Sequence, residues 1–166
     1  MANAKYEFTG ETKVVFGVTL NRIRAVAAIA AFGVAAGDLG GWIEREENLQ
    51  VYGDAWVYGN ARVSGNAQVY GNARVSGNAL VYGNARVETV NITATRTDGY
   101  TFLVAPTPDG PRIIAGCRYF TFKEAKAHWK KTRGGSRLGD ESLAIVKHLE
   151  TMAKLNGFDK PVKGAA

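Results

Sequence analysis

The chain has 166 residues, 46% of them hydrophobic, and a formal net charge of +6. That length fits one domain with appendages or two small modules, and the apolar share with three tryptophans supports a real core rather than a disordered chain. A single cysteine excludes an intrachain disulfide framework, and the longest low-polarity run, Ala25–Gly37, is too short to cross a bilayer.

The N-terminal stretch MANAKYEFTGETK lacks the apolar run of a signal peptide, so a soluble cytoplasmic protein is expected. Tyr6 and Phe8 alternate before Gly10. Val14, Phe16, Val18 and Leu20 alternate after it, followed by Ile23, and this period of two reads as strands. Arg22 and Arg24 alternate along the same strand and read as solvated charge on one exposed face. The alanine-rich Ala25–Ala36 reads either as a short helix or as a packed connector, and GDLGGW as a turn-rich entry to the central segment of the chain.

Residues 57–87 read VYGNARVSGNAQVYGNARVSGNALVYGNARV, and Val recurs every six residues from Val51 to Val87. Each unit is A-x-V-x-G-N. Ala and Val, two apart, point to one side of a short strand, and Gly-Asn tolerates the left-handed angles of a sharp corner. Short strands and regular corners at a fixed period are the signature of a solenoid.

This pattern resembles the hexapeptide repeat of left-handed parallel β-helix proteins, in which a small residue stands two before an aliphatic one. The resemblance implies three hexapeptides per triangular coil of eighteen residues and a homotrimer. Six units run without insertion from Val51 to Arg86, with Ile43 and Leu49 on the Ala phase opening a partial coil before them. About two to three coils are therefore expected. In an eighteen-residue coil Tyr52 stacks over Tyr70 with Gln50 and Gln68 beside them, Trp56 and Tyr58 over Arg74 and Ser76, and Arg62 and Ser64 over Leu80 and Tyr82. Tyr52, Trp56, Tyr58, Tyr70 and Tyr82 thus form a candidate oligomer or partner surface. Acyltransferases of that family use a histidine on or near the coils, and coil-based carbonic anhydrases use three metal-binding histidines. Here the two histidines, His128 and His148, both lie outside the repeat. The expectation is a scaffold without catalytic residues, metal or cofactor.

After the repeat, Val90, Ile92 and Ala94 alternate before an Asp98-Gly99 turn, and Tyr100, Phe102 and Val104 after it, which predicts a hairpin. Asn91-Ile92-Thr93 matches a glycosylation acceptor that has no use in a chain without a signal peptide. RIIAGCRYF reads as a further strand, with Cys117 a small core residue. Thr121 and Glu124 form a capping box for a helix over Phe122–Arg133, ended by Gly134-Gly135, with Phe122, Ala125 and Trp129 on its apolar side. A second helix begins near Asp140 and Glu141, carries the stripe Leu143, Val146, Leu149 and Met152, and stops at Gly157.

The charge is concentrated: residues 112–137 hold eight basic side chains and one acidic. Arg118, Lys123, Lys126, Lys130, Lys131, Arg133 and Arg137 are candidate contacts for phosphates, with Tyr119, Phe120 and Trp129 interleaved; the alternative is a solvated helix face over core aromatics. Glu124 and His128, four apart, form either an acid–base pair or a simple surface pair. RGGSRLGDES lacks the Lys-Ser/Thr of a phosphate loop and reads as a helix–helix link.

The stretch GCRYFTFKEAKAHWKKTRGGSRLGDESLAIVKHL, with DLGGWIE and DGYTF, resembles a group of uncharacterised phage and prophage proteins that join such repeats to a C-terminal helical module. The expected organisation is an N-terminal strand region and connector (1–42), a hexapeptide-repeat β-helix (43–93), a hairpin plus two-helix module (94–159) and a tail (160–166). The fold class is mainly β with flanking hairpins and two C-terminal α-helices. The expected function is a non-catalytic phage-type binding protein in the host cytoplasm, with anti-defence as a setting. It would hold a host protein, a nucleic acid or an anionic nucleotide-like ligand. A divergent hexapeptide-repeat transferase and a structural virion or assembly protein are the other classes.

Overall fold

The computed structural model describes residues 3–88 and 92–158; Val90, Asn91 and the tail 160–166 lie outside them. The chain is mainly β with two helices and divides into two compact units, Met1–Val90 and Asn91–Ala166.

The first unit opens with an antiparallel hairpin of β1 (Tyr6–Val15) and β2 (Val18–Ala25). Sequence alternation places Phe16 within a strand. It is instead a turn residue: Val15 pairs with Val18, and Phe16 and Gly17 both have positive φ (51° and 79°), as a tight two-residue hairpin turn requires. The register slips between Phe8 and Thr12, a bulge around Gly10. The alanine-rich stretch is not an α-helix but a connector with one 3-10 turn, Ala30–Phe32; its buried Ile29 and Val34 bridge each other, while its alanines from Ala27 to Ala36 are exposed. β3 (Leu39–Ile43) then pairs with β2 on one edge.

The repeat continues the chain as six two-residue strands: β4 (Trp56–Val57), β5 (Arg62–Val63), β6 (Gln68–Val69), β7 (Arg74–Val75), β8 (Leu80–Val81) and β9 (Arg86–Val87). Each pairs in parallel with the strand eighteen residues on: β4 with β7, β5 with β8, β6 with β9. Three separate sheets result, none closed among the described residues; β1, β2 and β3 extend the β5–β8 sheet. The repeat's Val and Ala line the interior, from Ala55 and Val57 to Ala85 and Val87, all at most 3% exposed. Gly59, Gly65, Gly71, Gly77 and Gly83 turn the corners at φ between 54° and 69°.

The first coil departs from the expected register. Ile43 pairs with Val63 and Leu49 with Val69, so both occupy Val positions rather than Ala positions. Both are fully buried. Between Leu49 and Trp56 the chain uses six residues where the next coil, from Val69 to Arg74, uses four. Val51 and Tyr52 are the surplus. Tyr52 therefore bulges out of the corner, 79% exposed, and does not stack over Tyr70; Gln50, whose N–H donates to Val69 O, lies opposite Tyr70 and not over Gln68.

The second unit is a four-stranded antiparallel meander with two helices on one face. Its strands are β10 (Ile92–Thr95), β11 (Thr101–Ala105), β12 (Arg112–Ala115) and β13 (Arg118–Phe120). The RIIAGCRYF segment is thus two strands around a Gly116-Cys117 turn, and Cys117 is exposed at that turn, not a core residue. α1 (Phe122–Arg133) and α2 (Arg137–Leu155) pack Ala125, Trp129, Val146, Leu149 and Ala153 against Phe102, Val104, Ile113 and Ala115. α2 begins three residues before Asp140, capped by the Ser136 hydroxyl, which accepts from Gly139 N. Its buried stripe is Ser142, Val146, Leu149 and Ala153, with Leu143 and Met152 half-buried beside it.

Candidate anion-binding groove

α1 starts where the capping box predicted. Glu124 N donates to the Thr121 hydroxyl, and the Glu124 carboxylate accepts from Thr121 N (2.8 Å). Those bonds hold the Glu124 pKa below the ordinary carboxylate value. They also commit Glu124 to the helix end, so it forms no pair with His128. The His128 ring packs 5.0 Å from Phe120 and 4.9 Å from Trp129 instead. Burial, helped by the Arg118 charge, lowers the His128 pKa.

Of the basic residues singled out from sequence, Lys126 and Lys130 meet at one place. With Ala127 of α1 and Leu143, Lys147 and Glu150 of α2 they line a groove of about 420 Å³ between the helices. Lys126 is bound to the Glu150 carboxylate across the groove. Lys130 and Lys147 make no ion pair among the described residues. The groove thus presents two unpaired ammonium groups beside the apolar side chains of Ala127 and Leu143. Lys147 lies on the second helix, outside the basic run, and only the packing of α2 on α1 reveals it.

The other candidates sit apart from this groove. Arg137 is engaged by Glu141 (2.7 Å) and donates to the Thr97 hydroxyl (3.0 Å). The Thr97 bonds, with Arg137 beside them, hold Glu141 below the usual carboxylate range. Lys123, Lys131 and Arg133 are exposed on α1, and Arg118 is exposed on β13. Trp129 is buried in the helix–sheet core, and Phe120 packs half-buried against that core. Two buried cations, Lys5 and Arg96, lie outside the basic run. Arg96 is held by Asp98 (2.7 Å) and donates to Ser142 (2.9 Å), with its guanidinium 4.9 Å from the Tyr100 ring centroid and 5.5 Å from that of Trp129. The Arg96 hydrogen bond pulls the Asp98 pKa down to about 2. This cluster ties the β10–β11 loop to α2 and leaves nothing free for a ligand.

The aromatic surface expected on the repeat is largely absorbed by the chain itself. Trp56 pairs with Arg74 as expected, yet it is fully buried rather than presented to a partner. Its ring and Ile23 both come up against Gly40, where a Cβ would lie 2.5 Å from Ile23 and 2.8 Å from Trp56. Tyr58 packs on Phe32 of the connector (ring centroids 6.4 Å), its hydroxyl donates to Phe32 O (3.3 Å), and Arg74 sits over its ring at 4.6 Å. Tyr70 and Tyr82 are half-buried, and burial raises the Tyr70 pKa, with Glu88 adding to it. Tyr52 alone of the five is fully open.

Comparison with known proteins agrees with the fold of the repeat. A family model described as the YdcK beta solenoid repeat matches residues 49–65 and 67–83. No curated protein matches the chain. No helix among the described residues is long and apolar enough to cross a membrane. The chain carries a β-solenoid repeat, and that repeat accounts for the parallel rungs of its first unit.

Proposed function

We propose that this is a non-catalytic binding protein in which the solenoid is the scaffold and the α1–α2 groove receives an anionic partner. The observation that carries the reading is the pair of uncompensated lysines, Lys130 and Lys147, facing a groove with an apolar wall. A surface serving only solubility would intersperse the two signs. Charge held beside an apolar wall favours a ligand that is anionic and partly greasy: a nucleotide, a nucleic-acid strand or an acidic protein segment. The packing of His128 between Phe120 and Trp129 and the structural commitment of Glu124 support a non-catalytic role.

The finer architecture belongs to the same proposal: a left-handed coil of two to three turns, assembled as a homotrimer in the cytoplasm of a phage-infected host, where it occupies a host macromolecule or sequesters a small anion in counter-defence. Light scattering tests the trimer. For the groove, a Lys130→Glu/Lys147→Glu double variant is titrated with a single-stranded oligonucleotide, a nucleoside triphosphate and an acidic peptide across salt concentrations. Loss of binding to one of them, with a reduced salt slope, supports the groove; unchanged binding to all three overturns it.

A further inference from the structure

A second cationic cluster lies in the first unit, on the sheet that joins the N-terminal hairpin to the solenoid. Arg22, Trp42 and Arg62 are directly opposed across three neighbouring strands, β2, β3 and β5, so their side chains share one face. Lys13 joins them from β1: its Nζ lies 3.9 Å from the Trp42 ring centroid, and the Arg22 guanidinium carbon lies 5.0 Å from the same centroid. Two cations therefore lie against one indole, and Arg62, in register with Trp42 on the next strand, is near enough for its charge to act on Lys13. None has an ion pair among the described residues, whereas neighbouring Arg24 is paired with Glu7 and Arg45 with Glu47.

The polar atoms tell the same story. Trp42 Nε1, Arg22 Nε and Arg62 Nε are buried and have no hydrogen-bond acceptor among the described residues. Buried donors are ordinarily satisfied, and a cluster of them needs an explanation. All are donors, and all but the indole are cationic. Glu44 is taken by Gly65 N at 2.6 Å, and Glu11 acts on Lys13 only through its charge. Burial and the Arg62 and Arg22 charges lower the Lys13 pKa, as expected for cations held together.

We infer that Lys13, Arg22, Arg62 and the Trp42 N–H form a binding site for a compact phosphate group, separate from the α1–α2 groove. Two guanidiniums and an ammonium suit a dianion better than a single carboxylate, and Arg forks match phosphate oxygens in pairs. Lys13 and Arg22 already lie against the indole, so the ring is not a stacking platform for a base. Recognition is of the phosphate itself.

The test uses the full chain and inorganic phosphate as the probe, followed by calorimetry and by the thermal midpoint. Acetate is the carboxylate control. Phosphate should bind and raise the midpoint. Arg22→Gln and Arg62→Gln should each weaken it about 10-fold or more, as expected for a lost charge-assisted hydrogen bond. Trp42→Phe keeps the ring, drops one donor and should weaken it less. In phosphate-free buffer, Arg22→Gln and Arg62→Gln should unfold no earlier than the parent, because each relieves repulsion. Should Arg22→Gln misfold, Arg22→Lys keeps the charge, removes Nε and still must lose affinity. A Lys130→Gln/Lys147→Gln variant should bind phosphate as the parent does. The inference is overturned by a parent indifferent to phosphate, by acetate binding equally well, by Arg variants of unchanged affinity, or by loss of binding in the Lys130/Lys147 variant instead.

Discussion

Gly139 sits in the first turn of α2, where the sequence RLGDES invites a helix break, and replacing it with alanine tests how the two helices are locked together. A Cβ there would lie 1.9 Å from the Arg133 carbonyl oxygen and 2.7 Å from its carbon. Ordinary contact begins near 3.4 Å, and the obstacle is backbone rather than the end of a flexible side chain. Accommodation requires the start of α2 and the end of α1 to separate by more than about 1 Å, with overpacking costs of about 1–3 kcal/mol. The same carbonyl accepts from Ser136 N (3.2 Å) and Ser136 Oγ (2.7 Å), and weakening either adds about 1 kcal/mol. Gly139→Ala should therefore destabilise by roughly 2–4 kcal/mol. Gly135, four residues earlier, has open space around it but φ of +75°, so Gly135→Ala should cost only about 1–2 kcal/mol. Urea unfolding with hydrogen-exchange mass spectrometry over residues 122–155 measures both. If Gly139→Ala falls within about 0.5 kcal/mol of the parent, or costs less than Gly135→Ala, the proposed contact does not hold the helices.

Three further outcomes are expected from the same structure. Asn48 is buried and its amide donates to Gly65 O (3.1 Å) and Ala67 O (2.8 Å), so Asn48→Ala should lower stability by about 2–3 kcal/mol in chemical denaturation, while Tyr52→Ala should be nearly neutral. Burial lowers the Lys5 pKa to about 8 and raises that of Tyr6 to about 12. The unfolded chain keeps the Lys5 proton to higher pH, so stability should rise from about pH 8 to pH 10, by roughly 3 kcal/mol at most; it should fall from pH 10 to 12 as the unfolded chain loses the Tyr6 proton first. Lys5→Met should flatten the rise and Tyr6→Phe the fall in denaturation series across that range. Glu150→Gln frees Lys126 in the α1–α2 groove and should tighten binding of any anion taken there, read by titration, with little change in fold stability.

How much of this was legible depended on whether the signal was local. The six-residue period located every interior Val and Ala of the repeat, because strand alternation and Gly-Asn corners are both short-range. The capping box at Thr121 and Glu124 was legible for the same reason. The register of the first coil was not. Both the period and the family match set Leu49 eighteen residues before Ala67, whereas the chain pairs Leu49 with Val69. Only the burial of Leu49 and the bulge at Tyr52 decide that two-residue slip. The Trp56 error has a related cause: its phase on the strand is outward, but Ile23 of β2 closes over it through the space that Gly40 leaves. Lys147 and the Trp42 cluster join residues from different elements, and no window along the chain contains them. Phe16 reads as a strand residue by alternation, and the turn shows only in its left-handed backbone.

The non-repeating residues around the first coil have a common physical task. A solenoid rung satisfies its peptide groups through the rung above and below, so the outermost one needs other partners. Here side chains supply them. Gly65 N donates to Glu44 and Gly71 N to Gln50, while Arg45 and Asn48 both donate to Gly65 O. The Tyr6 hydroxyl donates to Glu46 O and Leu49 O, and Lys5 Nζ to Gln50 O. The Ala and Val of the repeat have no polar side chain with which to make such bonds, and at this end the chain departs from the repeat. The two surplus residues at Val51 and Tyr52 let Gln50 reach the Gly71 corner while Leu49 still fills the interior. Inner rungs built from A-x-V-x-G-N are nearly interchangeable and carry little distinctive chemistry. Of the two proposed anion sites, the α1–α2 groove lies outside the repeat and the Trp42 cluster takes only Arg62 from a regular unit. That division predicts where function should tolerate change: exchanging one inner rung's Tyr for Ser should matter less than any single substitution at Arg22, Trp42 or Lys130.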